Sequence, residues 1–187
     1  MKEPFTIDTD FPGGNLIVQQ IDAARSHIRE DQRDSTERWF YWHFRVCNAA
    51  RRRLTFQFTH WNVIGGRGPS VSRDGQRSYH WLGRENPNEP VFSYTFSADE
   101  QETFFCFCLP YVESKVKRFL APYSGHPALR TETLCTTAKG RAVELLHVGK
   151  IDSTSAPTPK VLITCRHHAC ESSANYVAEG LIAAVLD

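Results

Sequence analysis

Residues 39–46 read WFYWHFRV. Alternation places Phe40, Trp42, Phe44 and Val46 on one face of a strand and Trp39, Tyr41, His43 and Arg45 on the other. A helix would scatter these residues around its axis, so a period of two with aromatic and β-branched residues predicts β structure. LTFQFTH (54–60) repeats the pattern, with Leu54, Phe56 and Phe58 opposing Thr55, Gln57 and Thr59. VFSYTF (91–96) and TFFCFCL (103–109) follow, the latter bulky on both faces. Several such strands joined by turns predict an antiparallel β-sandwich over residues 1–120.

Between these strands, residues 62–90 are rich in Gly, Pro, Asn and Arg. The glycines invite comparison with a phosphate cradle, but no Gly-Lys-Ser/Thr follows and no helix opens there. The segment reads as a long loop. Arg51, Arg52 and Arg53 read as a solvated cluster at a turn.

Beyond residue 110 the period changes. YVESKVKRFLAP (111–122) spaces Val112, Val116, Phe119 and Leu120 at helical intervals, and Pro122 supplies a stop. AVELLHVGK (142–150) and KVLITC (160–165) read as apolar strands on either side of a Ser/Thr/Pro turn at 153–159. Near-continuous apolar runs are what a sheet covered on both faces requires. The helix expected from ESSANYVAEGLIAAVLD (171–187) carries Ala174, Val177, Ala178, Leu181, Ile182 and Val185 on one stripe. The fold class is therefore mixed: a β-sandwich followed, over 121–187, by the first part of an α/β domain. Two strands and one helix do not cover such a sheet, so the second domain is expected to be incomplete within this chain.

Composition narrows the function. With 41% hydrophobic and 12% aromatic residues among 187, the chain can bury a core. Twenty-two basic against 21 acidic residues leave +1, which gives no electrostatic case for nucleic acid or an anionic membrane. No apolar stretch approaches the length of a membrane span, and residues 1–14 lack the apolar region of a secretory leader. A soluble, cytoplasmic protein is expected. Its six cysteines are then expected as thiols in a reducing compartment. Cys106 and Cys108 share a strand face, where buried thiols are a simpler reading than a shared metal.

The chemistry concentrates in CRHHACESS (165–173). His168 lies just past an apolar strand and Glu171 in the first turn of the next helix. An imidazole and a carboxylate three residues apart across such a turn can reach one zinc ion, though a catalytic zinc takes three protein ligands and an open position. The plainer alternative is a capping glutamate beside a strand-end histidine. His167 should face away from His168 and either support the ligands from behind or line the pocket. Cys170, at a helix start, is a candidate ligand or a cysteine nucleophile with His167 or His168. Neither a Gly-x-Ser-x-Gly elbow nor a His-Glu-x-x-His helix occurs.

CRHHACESSANYVAEG (165–180) resembles the Arg-x-His-x-x-Glu segment of zinc metallocarboxypeptidases, in the branch similar to cytosolic carboxypeptidases. The resemblance extends to FPGGNL (11–16), WFYWHFRV, FSYTF (92–96) with LPY (109–111), and AKGRAVELLHVG (138–149), in the family's order. Ala169-Cys170 stands where Pro-Gly is usual. The resemblance implies Zn2+ held by His168 and Glu171, with Arg166 a conformational or substrate-side neighbour. It also implies peptide or protein C-termini as substrate, and an N-terminal β domain ahead of the catalytic one. The family's second histidine ligand, general-base glutamate and carboxylate-binding arginine match nothing in this chain. Residues 1–187 are thus expected to be inactive alone. A reading of another class is a non-catalytic peptide- or protein-binding β module with a vestigial zinc motif.

Overall fold

The computed structural model describes residues 4–33, 40–151 and 159–187. Trp39 and most of the 153–159 turn lie outside the described residues. The chain divides into two compact units, Met1–Val112 with Arg166–Ser173, and Glu113–Cys165 with Ala174–Asp187.

Among its described residues the first unit holds nine strands: β1 (Thr6–Asp8), β2 (Ile17–Asp22), β3 (Arg25–Arg29), β4 (His43–Cys47), β5 (Arg53–Phe58), β6 (Ser70–Ser72), β7 (His80–Trp81), β8 (Val91–Thr95) and β9 (Glu102–Cys106). They form one sheet in the order β1-β4-β9-β6-β7 and another in the order β2-β3-β5-β8. Pairing is antiparallel throughout except between β3 and β5, which run parallel. The antiparallel expectation holds for every pair of described strands but this one.

The alternation in β4, β5 and β8 builds one core between the sheets. Trp42, Phe44, Val46, Leu54, Phe56, Phe58, Phe92 and Phe105 are buried in it. Rings cross from one sheet to the other, Phe44 to Phe56 at 5.2 Å and Phe92 to Phe105 at 5.6 Å between centroids. Burying such a side chain contributes roughly 1.5–3 kcal/mol, so this cluster dominates the unit's stability. Tyr41 and His43, on the opposite face of the segment, are buried as well. Phe11 closes over His43, with centroids 4.8 Å apart. Phe40 is 41% exposed, because β4 begins only at His43.

The 62–90 segment is more than a loop. Its Ser-Val-Ser (70–72) is β6, paired with β9, and His80–Trp81 is β7. Short polar strands carry no alternation to read; tertiary pairing recruits them. The Ser70 hydroxyl lies 3.2 Å from the Cys106 carbonyl and 2.6 Å from that of Cys108, fastening β6 to the end of β9. Gly68 has φ +73°, and a Cβ there would lie 1.8 Å from the Gly83 carbonyl oxygen, so only glycine permits this close approach.

The second unit contains α1 (Glu113–Leu120), a 3-10 turn (Ala121–Tyr123), β10 (Leu129–Thr136), β11 (Ala142–Val148) and most of α2 (Ser173–Leu186). Pro122 lies in the 3-10 turn that ends α1, as the sequence suggests. Lys115 Nζ donates to the Tyr176 hydroxyl at 2.9 Å and sits over its ring, joining α1 to α2. The Tyr123 hydroxyl donates to Asp187 at 3.0 Å.

Two expectations are corrected here. The partner of the 142–148 strand is β10, LRTETLCT, which polarity conceals in the sequence. KVLITC (160–165) forms no strand. Its Val161, Leu162 and Ile163 are 83%, 79% and 56% exposed. Apolarity makes a segment fit for a sheet, but a strand exists only where a neighbour offers its hydrogen bonds, and no described strand pairs with this one. The stripe on α2 divides too: Ala174, Ala178 and Ile182 are half-buried and Leu186 is buried, while Val177, Leu181 and Val185 are exposed.

Candidate metal centre

The turn 166–172 belongs to the first unit and leads into α2. Arg166 adopts φ +56°, a left-handed backbone unusual for a residue with a Cβ. Its guanidinium holds that shape. Nε and Nη2 each donate to the Ala169 carbonyl at 3.2 Å, Nη1 donates to the Tyr111 carbonyl, and the group lies 5.8 Å from the Tyr41 ring centroid. The backbone N–H of Glu171 donates to the His168 carbonyl at 3.1 Å, closing the turn. Ser172, buried, donates its hydroxyl to the Leu109 carbonyl at 2.6 Å.

The turn brings His168 and Glu171 together. His168 Nδ1 lies 2.8 Å from Glu171 Oε1, and the His168 N–H donates to Oε2 at 3.3 Å. Both side chains are about half exposed, at 48% and 45%. Hydrogen bonding from His168 holds the Glu171 carboxyl below its ordinary value. Arg166 lies beneath this pair as a brace, and His167 is exposed beside it.

A nitrogen and a carboxylate oxygen are donors that zinc accepts. Two donors on one zinc, each at about 2.0–2.2 Å in tetrahedral arrangement, stand roughly 3.3 Å apart. The observed 2.8 Å is within a small side-chain adjustment of that spacing, so this pair fits half of a zinc ligand set. Among the described residues, no group of three or more His, Cys, Asp and Glu side chains is placed to hold a metal.

Beneath the turn lies a thiol cluster, of which the sequence showed the buried Cys106–Cys108 pair but not Cys170 beside it. Tyr41, Cys106 and Cys108 form a buried cluster, and Cys170 packs against it. A hydrogen bond from Cys106 pulls the Cys108 thiol down to about 7 against the effect of burial, helped by Ser172 and Arg166. Burial pushes Cys106 well above the ordinary thiol value, and pushes Tyr41 up as well. His43 is pushed down to about 4 by burial, and its Nε2 lies 3.1 Å from the Tyr79 hydroxyl. Strand alternation does put Cys106 and Cys108 on one face. Nothing local announces Cys170 beside them, 62 residues beyond Cys108.

No family model and no curated protein matches this sequence. Its fold is similar to solved metallo-carboxypeptidases. The protein from Burkholderia cenocepacia superposes with a TM-score of 0.77 at 21% identity, over 96% of this chain and 48% of that one. A candidate carboxypeptidase A from Shewanella denitrificans OS-217 gives 0.79 at 20% identity, over 97% and 49%. The Pseudomonas aeruginosa metallo-carboxypeptidase, in complex with (2-guanidinoethylmercapto)succinic acid, gives 0.60 at 20%, over 75% and 39%. At such identities the likeness is one of fold, and this chain spans about half the length of the first two. The mixed, β-rich architecture expected from the sequence is therefore that of part of a carboxypeptidase-like structure.

Proposed function

We propose that residues 1–187 are the N-terminal portion of a zinc-dependent metallocarboxypeptidase that removes C-terminal residues from peptides or proteins in the cytoplasm. In this reading residues 1–120 form the N-terminal domain and 121–187 open the catalytic one. The carrying observation is the 2.8 Å approach of His168 Nδ1 to Glu171 Oε1, on a fold similar to that of metallo-carboxypeptidases. His168 and Glu171 would hold the metal. When bound, zinc would polarise a scissile carbonyl and make its water more acidic.

This chain's own residues hold and orient. The Arg166 fork and the Ser172 hydroxyl fasten the turn to the carbonyls of Tyr111 and Leu109, fixing both ligand side chains on a rigid sheet end. In this reading a general base, a third ligand and an arginine for the substrate carboxylate come from elsewhere in the polypeptide, so residues 1–187 alone are expected to be inactive. Exposed Val161, Leu162 and Ile163, and the exposed stripe Val177, Leu181 and Val185, support the view that further polypeptide completes the domain. No helix among the described residues is long and apolar enough to cross a membrane.

The test is zinc binding by the wild type, His168→Ala and Glu171→Ala, read by calorimetry and by metal analysis of protein from its source. Loss of bound zinc in both variants, with zinc-dependent release of C-terminal residues by the source protein, supports the reading. Equal zinc binding by all three proteins, or no zinc in any, overturns it.

A further inference from the structure

The turn that carries His168 and Glu171 rests on a pocket of thiols, and all six cysteines of the chain are unpaired by disulfides. Cys106 is fixed in β9, opposite His43 on one side and Ser70 on the other, and is fully buried. Cys170, by contrast, lies in a turn, is partly exposed, and packs against the Cys106–Cys108 cluster. Cys108 sits just past the end of β9, where the Ser172 hydroxyl reaches the adjacent Leu109 carbonyl. The turn and the strand end are thus already fastened one residue from Cys108 and two residues from Cys170. A disulfide needs two Cα atoms within about 7 Å and compatible Cβ directions, and the packing of Cys170 against the cluster that holds Cys108 is what brings the two thiols together.

We infer that Cys108 and Cys170 form a reversible disulfide latch under peroxide, locking the turn that carries His168 and Glu171 to the end of β9. A thiolate, not a thiol, is the nucleophile in such chemistry. Cys108, held near 7 by its hydrogen bond from Cys106, supplies one at neutral pH. Its sulfur attacks one oxygen of hydrogen peroxide, the O–O bond breaks, and hydroxide leaves as the sulfenic acid forms. The Cys170 sulfur then attacks the Cys108 sulfur, its proton passes to the departing hydroxyl, and water leaves. In sum two thiols and one peroxide give one disulfide and two waters, and an external dithiol restores the reduced state. Cys106 is the donor that makes Cys108 reactive rather than its bonding partner, because it is held in the β9 ladder with no exposed surface, whereas Cys108 lies past the end of β9 and keeps 8% exposure.

That the latch forms depends only on the thiol pocket; that it governs zinc rests on the function proposed above. The test treats purified protein with stoichiometric hydrogen peroxide at neutral pH and maps a non-reducing digest by mass spectrometry. The expected result is a Cys108–Cys170 crosslinked peptide, lost on reduction. Cys106→Ser should still give that crosslink, more slowly. Cys170→Ser should accumulate a sulfenic acid at Cys108, trapped by dimedone. A Cys106–Cys108 crosslink, or two intact thiols at 108 and 170 after oxidation, overturns the inference. Zinc titration of the reduced and oxidised forms is the separate arm. A changed affinity makes the latch regulatory, whereas equal binding by both forms removes that role. Absence of zinc in both counts against the metal and leaves the crosslink result standing.

Discussion

The Ser172 hydroxyl donates to the Leu109 carbonyl at 2.6 Å, joining residues 63 apart in sequence and fixing the turn of His168 and Glu171 to the end of β9. Ser172 is buried and Leu109 half-buried, so the hydroxyl has given up water for this bond.

Ser172→Ala should therefore lower unfolding stability by about 1–2 kcal/mol, leaving the Leu109 carbonyl short of a partner. Urea denaturation reads this directly. If the proposed metal pair is correct, zinc affinity should fall as well, since the side chains of His168 and Glu171 lose part of their support.

Arg166→Lys should loosen the same turn without changing charge. An ammonium cannot span the Ala169 and Tyr111 carbonyls as the planar guanidinium does. Hydrogen exchange at residues 166–171 should accelerate, with exchange in β4 and β5 unchanged. Uniform protection throughout would show that the brace is dispensable.

His43 makes stability depend on pH. Its folded value is about 4 against an ordinary 6.5 because burial disfavours the cation. Between those values the unfolded chain binds the extra proton, so stability rises with pH across that window. Protonation of the unfolded state costs the fold roughly 3 kcal/mol at the acid end. His43→Gln should flatten the slope between about pH 4 and 6.5. Denaturation midpoints at several pH values would decide.

Gly68→Ala should destabilise by more than about 1 kcal/mol, from a Cβ in a left-handed backbone position and its collision with the Gly83 carbonyl. By contrast Leu162→Ser, at a side chain 79% exposed, should stay within about 0.5 kcal/mol in residues 1–187. A much larger cost for Leu162→Ser in the source protein would show that further polypeptide covers it.

Much of the first unit was legible because its signals are local. Alternation in WFYWHFRV, LTFQFTH and VFSYTF is enforced by the geometry of a strand, and the buried faces agree with it at Trp42, Phe44, Leu54, Phe56 and Phe92. The helix at 113–120 and its proline stop were legible for the same reason. Of the candidate site, His168 and Glu171 could be named from their spacing, since a turn into a helix brings such residues together whatever surrounds them.

What the sequence determined by itself, then, is the pattern each segment imposes on its own backbone: which faces are apolar, where helices stop, and which pair shares a turn. Tertiary structure alone decided the partners. It recruited Ser70–Ser72 and Leu129–Thr136 as strands, left Val161–Leu162–Ile163 without one, ran β3 parallel to β5, and set Cys170 against Cys106 and Cys108. The reason is physical. A hydrogen-bonded ladder and a thiol pocket both need a second surface, and the identity of that surface is a property of the folded chain and not of either segment.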